Sequence, residues 1–214
     1  MSAQATAKER ILGSIRAGNA GVHPAEYAVL SRNYRKAASL SREACVALMI
    51  ERLREYDAEV TECSPEQLAE TIAAQPTASG RRLFVAPAGL KSEWLPEGFE
   101  WRVDRELSQD DVETADGVVT ASFSAVAESG TIVLHHGPEE GRRILTLLPD
   151  WHLCVLRTSQ IVETLPEYFA RVAEPPRLAT YISGPSATAD IEMTRIKGVH
   201  GPRFLHVIVL RDHL

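Results

Sequence analysis

Five short apolar runs crowd the second half of this 214-residue chain: Gly117–Ala121, Thr131–Leu134, Leu153–Leu156, Ala179–Ile182 and His206–Leu210. Most are β-branched, and several lack alternation with polar residues, which fits strands covered on both faces. Helical stretches lie between some of them, at Arg142–Leu148 and at Ile161–Val172, where Ile161, Leu165, Phe169 and Val172 recur at near-helical spacing. Strands interleaved with helices predict an α/β fold with a largely parallel sheet and helices on both faces. In open sheets of this kind ligands bind beyond the carboxyl ends of strands, so the loops that follow strands are where chemistry is sought.

The first half is more mixed. Residues 3–17 read as a helix with Ile11, Leu12 and Ile15 on one stripe, stopped by Gly18, and residues 25–40 read as an extended arm. A stronger helix runs from Arg42 to Tyr56, and Glu59–Cys63 is a strand candidate. Ser64-Pro65-Glu66-Gln67 forms a capping box with Pro at the first helical position, predicting a helix to about Gln75. Leu83–Ala86 and Trp101–Asp104 are the remaining strand candidates. The expected organisation is a helix and arm over residues 1–40 and a single α/β domain over residues 41–214.

Composition excludes several functions. Lys plus Arg number 23 against 29 Asp plus Glu, and 9 basic against 14 acidic side chains fall in residues 108–214. Nucleic-acid binding rests largely on phosphate neutralisation, so this surplus argues against it. Cys45, Cys63 and Cys154 are odd in number and never form a Cys-x-x-Cys pair, which excludes a disulfide framework and argues against a cluster or zinc site held by this chain alone. The longest uninterrupted apolar run, Ala44–Ile50, is far short of the roughly 18 residues a membrane span needs. With no signal peptide visible, a cytoplasmic protein is expected.

Four loops carry candidate chemistry. Ser122–Gly130 holds Glu128 beside small residues, followed by Ser129, Gly130 and Thr131. Desolvation there would raise the carboxyl pKa and make Glu128 an acid, base or nucleophile; alternatively it braces the turn through backbone amides. In Ser183–Asp190 the flexibility of Gly184 and the hydroxyls of Ser186 and Thr188 suit a cradle for phosphate or carboxylate, or else a capped turn into a helix. Asp190 and Glu192 follow, and would share a face on a strand. His200, between Gly198 and Gly201, is placed to act as acid or base, or serves structure alone. Arg142 or Arg143, after Gly137-Pro138, offers a bidentate fork for an anion or balances Glu139 and Glu140. No two-histidine spacing supports a metal, and no P-loop, Gly-x-Gly-x-x-Gly or Gly-x-Ser-x-Gly occurs.

Taken in order, Ala127-Glu128-Ser129-Gly130-Thr131, Gly137-Pro138 with Gly141-Arg142, Leu147-Leu148-Pro149 with His152–Val155, Ser183-Gly184-Pro185-Ser186 with Thr188–Glu192, and Gly198–Pro202 resemble the LUD domain of the lactate-utilisation protein C family. The resemblance is close over residues 115–212 and only in outline before them. It implies a fold like that of ribose-phosphate isomerases, CoA transferases and folate cyclo-ligases. It also implies a role in oxidising L-lactate to pyruvate beside two iron–sulfur partner proteins, with no redox cofactor in this chain. A Glu-x-Gly loop carries the catalytic Glu of CoA transferases, and Glu128-Ser129-Gly130 is similar; the alternative is therefore a stand-alone enzyme using Glu128 on an anionic substrate. Oligomeric state stays open. The reading requires Glu128, the Gly184–Asp190 loop and His200 to meet at one cavity, with Glu128, His200 and Asp190 catalytic and Ser129, Gly130, Thr131, Arg142, Gly184, Ser186, Thr188 and Glu192 binding the ligand.

Overall fold

A computed structural model describes residues 6–21, 28–188, 196–198 and 200–212. The chain divides into two compact units, Met1–Arg35 and Lys36–Leu214. The first contains helix α1 (Ala7–Gly18), started by a capping box in which Thr6 Oγ1 accepts from the Glu9 N–H and the Glu9 carboxylate accepts from the Thr6 N–H. None of its residues is buried, and Ile11, Leu12 and Ile15 all stay exposed.

The second unit is built on an all-parallel six-stranded sheet. Helix α2 (Arg42–Glu55), capped by Ser41, leads into β1 (Glu59–Cys63). The Ser64 capping box starts a 3₁₀ turn that passes into α3 (Leu68–Ser79), longer than its sequence suggests because Pro76 is carried inside the helix. Then follow β2 (Leu83–Pro87), β3 (Glu100–Asp104), a short α4 (Gln109–Glu113) and β4 (Gly117–Ala121). Further along come β5 (Ser124–Val126), β6 (Thr131–Leu134), β7 (Trp151–Arg157), β8 (Ile161–Val162), α5 (Leu165–Arg171) and β9 (Thr180–Ile182). The last elements are β10 (Ala187–Thr188), β11 (Ile196–Lys197) and β12 (Phe204–Leu210). Strand order in the main sheet is β1-β12-β7-β4-β2-β3.

Period-two alternation divides each central strand between two cores. Cys154 and Leu156 of β7 and Val207 and Val209 of β12 face α2, packing on Cys45, Met49 and Leu53. Leu153, Val155, Ile208 and Leu210 point the other way, onto Leu68 and Ile72 of α3. Both faces are thus covered, and each fully buried aliphatic side chain contributes roughly 1.5–3 kcal/mol.

Two expectations are corrected here. The runs at Thr131–Leu134 and Ala179–Ile182 do not join the main sheet: as β6 and β9 they form, with β5 and β8, a second four-stranded sheet in the order β8-β5-β6-β9. Only β5 and β8 pair in parallel there; the other pairs are antiparallel. This sheet contributes Ala125, Ile132, Leu134 and Ile161 to the core under α2, so its strands are as apolar as parallel ones. Apolar composition reports burial, not strand direction. The predicted helix over Ile161–Val172 is shortened, because Ile161 and Val162 are drawn into β8 and Thr164 caps α5, while Arg142–Leu148 holds only a 3₁₀ turn at Arg143–Thr146.

Candidate functional site

The carboxyl rim of the main sheet is filled by the chain itself. Asp104, at the end of β3, receives Arg142 in a bidentate fork, Nε to Oδ2 at 2.8 Å and Nη2 to Oδ1 at 2.7 Å. That fork holds the Asp104 carboxyl below its ordinary range, with desolvation opposing. Beyond β4, Ala121 N–H donates to the Glu139 carbonyl, and Gln160 spans the gap: its Nε2 donates to Ser122 O at 2.6 Å and its Oε1 accepts from Arg157 N–H at 3.0 Å. Beyond β12, Asp212 takes the Ser159 N–H at 2.9 Å and the Thr158 hydroxyl at 2.8 Å.

A hollow lies at the opposite, amino rim, away from the strand ends that topology favours. A cavity of about 280 Å³ opens where β7 and β12 begin, bordered by His152 and Leu205, the second residue of each strand and register partners. Its walls come from the segments that enter these strands, Arg143–Leu147 and His200–Pro202, and from Thr180–Ala187. A shallower groove of about 660 Å³ continues from it past Arg143, His200 and Asp150. Among the described wall residues Arg143 carries the full positive charge, and none is Asp or Glu.

Cross-ties hold the two wall segments together. Ser186 Oγ accepts the His200 N–H at 3.1 Å, Ser186 N–H donates to Pro202 O, and Gly198 N–H donates to Ser186 O. The strand pair β10–β11 extends this junction, where one of the two sequence readings was a capped turn into a helix. Gly184 adopts φ +82°, and a Cβ there would stand 2.6 Å from Tyr56 Cβ, so the wall rests directly on the end of α2. Only glycine combines that dihedral with that approach.

Arg143 is positioned by a relay. Its Nη1 donates to Thr180 Oγ1 at 2.5 Å, and Thr180 Oγ1 also meets His136 Nε2 at 2.7 Å. His136 Nδ1 lies 2.9 Å from the Gly141 carbonyl, which can only accept, so Nδ1 carries the proton. In the neutral ring Nε2 then accepts from the Thr180 hydroxyl, whose oxygen accepts from Arg143. His136 reaches this position through a left-handed φ of +59°. The neighbouring His135 turns elsewhere, stacked on Phe123 at 3.6 Å between ring centroids and 2.7 Å from Tyr168 Oη.

The structure thus brings Gly184, Ser186 and His200 to one cavity. Glu128 is not among the residues that line it; it sits exposed on the turn after β5, its N–H donating to Glu163 O. That turn is nonetheless on the same rim. Gly130 abuts Arg52 of α2, and a hydroxyl chain runs from Ser129 Oγ to Thr131 Oγ1 and on to Ser183 Oγ in the cavity wall, each step 2.8 Å. Arg142 is held on Asp104, whereas its neighbour Arg143 faces the hollow. Thr188 lies in β10. Asp190 and Glu192 lie outside the described residues. Sequence reading passed over His152 as a site residue, although a histidine inside Trp-His-Leu-Cys-Val-Leu was a visible signal: a polar ring in a strand buried on both faces requires partners.

By architecture this is an α/β protein with a parallel main sheet and a second, mixed one. The model of the LUD domain family matches residues 2–210, and the chain belongs to that family. A protein from Deinococcus radiodurans named lactate utilization protein C is 42% identical over 177 residues, covering 81% of this chain and 82% of its own length. A Bacillus subtilis protein of the same name is 35% identical over 139 residues, 58% of each chain. A crystal structure of a DUF162 family protein from Deinococcus radiodurans superposes with a TM-score of 0.67 at 36% identity, covering 81% of this chain and 100% of that one.

Proposed function

We propose that this protein serves lactate utilisation by holding a small carboxylate in the amino-rim cavity, while iron–sulfur partner proteins carry the electrons. The observation that carries the binding step is the charge of the hollow: in a chain with six more acidic than basic side chains, Arg143 faces a cavity whose described walls hold no carboxylate. A guanidinium in such a setting favours an anion with carboxylate geometry. A hollow of about 280 Å³ suits a metabolite of a few carbons better than a dinucleotide.

The division of labour is supported by the thiols. Cys45 and Cys154 are buried on the α2 side of the sheet and Cys63 on the other, and burial pushes the Cys154 thiol up to about 12. Thiols in that state make poor cluster ligands, because the thiolate is the ligating form. Buried, unpaired cysteines also suit a reducing compartment such as the cytoplasm. No helix among the described residues is long and apolar enough to cross a membrane.

The test joins binding to growth. Titration calorimetry of the purified protein with L-lactate and pyruvate is expected to give saturable binding that weakens at least about tenfold in Arg143→Ala, the loss of one charge-assisted contact. Cells lacking the gene are expected to grow poorly on L-lactate and to be rescued by the wild type. Normal growth on L-lactate without the gene, together with no heat from either acid, would overturn the proposal.

A further inference from the structure

His152 is 1% exposed and borders the cavity from its floor, beside the buried Leu205. Its Nε2 lies 2.8 Å from Thr120 Oγ1, which reaches across from β4. Nδ1 has no hydrogen-bond partner among the described residues. Every fully buried side-chain nitrogen or oxygen among those residues does have one. The space His152 borders is the cavity, and a ligand there is the partner left to Nδ1. Of the neighbouring hydroxyls, Thr180 meets His136 and Arg143, Ser183 meets Thr131, and Ser186 accepts the His200 N–H while keeping its own O–H to donate. The floor thus offers a buried ring nitrogen, and the wall offers the Arg143 guanidinium, the Ser186 hydroxyl and the exposed His200 imidazole.

We propose that His152 is the specificity-determining residue of this cavity, its Nδ1 hydrogen-bonding the oxygen substituent of a 2-hydroxy or 2-oxo acid whose carboxylate lies against Arg143. The inference rests on the small-carboxylate reading above and adds to it a discrimination which that reading does not require. Burial pushes the His152 pKa down to about 4, so the ring is neutral at pH 7 and leaves Arg143 as the charge that meets the carboxylate. Thr120 can donate to Nε2 or accept from it, because a hydroxyl does both. Nδ1 can accordingly present a lone pair to an alcohol or an N–H to a carbonyl, serving the reduced and the oxidised acid with one side chain. An acid that lacks the oxygen leaves a desolvated nitrogen unmatched, which is how a polar site rejects an otherwise similar ligand.

The test compares L-lactate and pyruvate with propionate, which has the same three carbons and no second oxygen function. Wild-type protein is expected to bind either oxygenated acid at least about tenfold tighter than propionate. In His152→Gln the amide reaches the Nε2 position, preserving the Thr120 contact while removing Nδ1, and the preference is expected to fall below about twofold. In His152→Asn the amide occupies the Nδ1 position, and most of the preference is expected to return. Nitrogen-15 spectra of the imidazole in unaltered protein give a second readout if a variant fails to fold. The Nδ1 resonance of His152 should move on adding lactate and stay in place on adding propionate. Equal binding of all three acids, an unmoved Nδ1 resonance at saturating lactate, or full preference retained in His152→Gln would overturn this inference and leave the carboxylate reading standing. Binding of none of the three would overturn both.

Discussion

The two ends of the main sheet are made from the same strands and have opposite fates. At the carboxyl end, Asp104, Gln160 and Asp212 each satisfy several partners, and the chain's own groups tie the strand ends together. At the amino end, the segments entering β7 and β12 stand apart from Thr180–Ala187, and a hollow remains. Strand topology alone favours the first end. The difference arises in the second sheet: β5 and β8 leave the carboxyl end, run back along α2, and deliver the Glu128–Gly130 turn near Arg52, as β9 delivers Ser183 and Gly184 near Tyr56. The candidate ligand groups reach the amino rim because a second layer carries them there.

That contrast can be broken most forcibly at Gly184. Alanine would combine a left-handed dihedral with a Cβ 2.6 Å from Tyr56 Cβ and 2.8 Å from its carbonyl oxygen. A loss of about 3 kcal/mol or more is expected in denaturant unfolding, together with loss of carboxylate binding. An effect on stability with binding intact would separate the wall from the site.

Acid titration is expected to have nearly as large an effect. The folded His152 titrates near 4 and its unfolded counterpart near 6.5, so the unfolded chain binds the extra proton between these values and stability falls as pH drops through that window. The contribution is at most roughly 3 kcal/mol across the window. His206, also lowered by burial, adds the same sign; Glu140, raised by burial, opposes it. The informative quantity is therefore the difference between wild type and His152→Gln, which should be flat above pH 7 and diverge below 6.5. Parallel curves would mean that His152 is not held neutral.

At the filled rim, Gln160→Ala should cost about 2 kcal/mol, since it strands Ser122 O and the Arg157 N–H, without altering ligand affinity. The adjacent arginines give the sharpest pairing. Arg142→Ala should lower stability by about 1 kcal/mol and leave affinity unchanged, whereas Arg143→Ala should do the reverse. If both weaken binding alike, the two rims communicate. The smallest effect belongs to Glu128→Gln, expected to change carboxylate affinity by less than about twofold because that side chain does not line the cavity.

Much of this architecture was legible beforehand. Period, capping and punctuation placed β1, β2, β4, β7 and β12, the span of α2 and the cap of α3, because each signal is local. The partition into two sheets was not legible: β6 is as apolar as β4, and burial on both faces erases the alternation that separates antiparallel from parallel strands. The Gly184–Ser186 and Gly198–Gly201 segments announced themselves through glycine and hydroxyl content. Arg142 and Arg143 could not be told apart, since the choice depends on Asp104, 38 residues earlier in the chain. His152 was hidden for the opposite reason: an apolar strand around it reads as core, and its role depends on which neighbour stops short of covering it.

The last turn of α2 and its C-cap lie against two glycines from separate loops, Gly130 against Arg52 and Gly184 against Tyr56. It therefore acts as a gauge block that sets the distance from the main sheet to the opposite side of the hollow. One residue inserted into that helix would advance its end by about 1.5 Å and rotate it by about 100°. Both glycine contacts would be lost at once. Helix length here is a dimension of the binding chamber, fixed by residues that never meet a ligand.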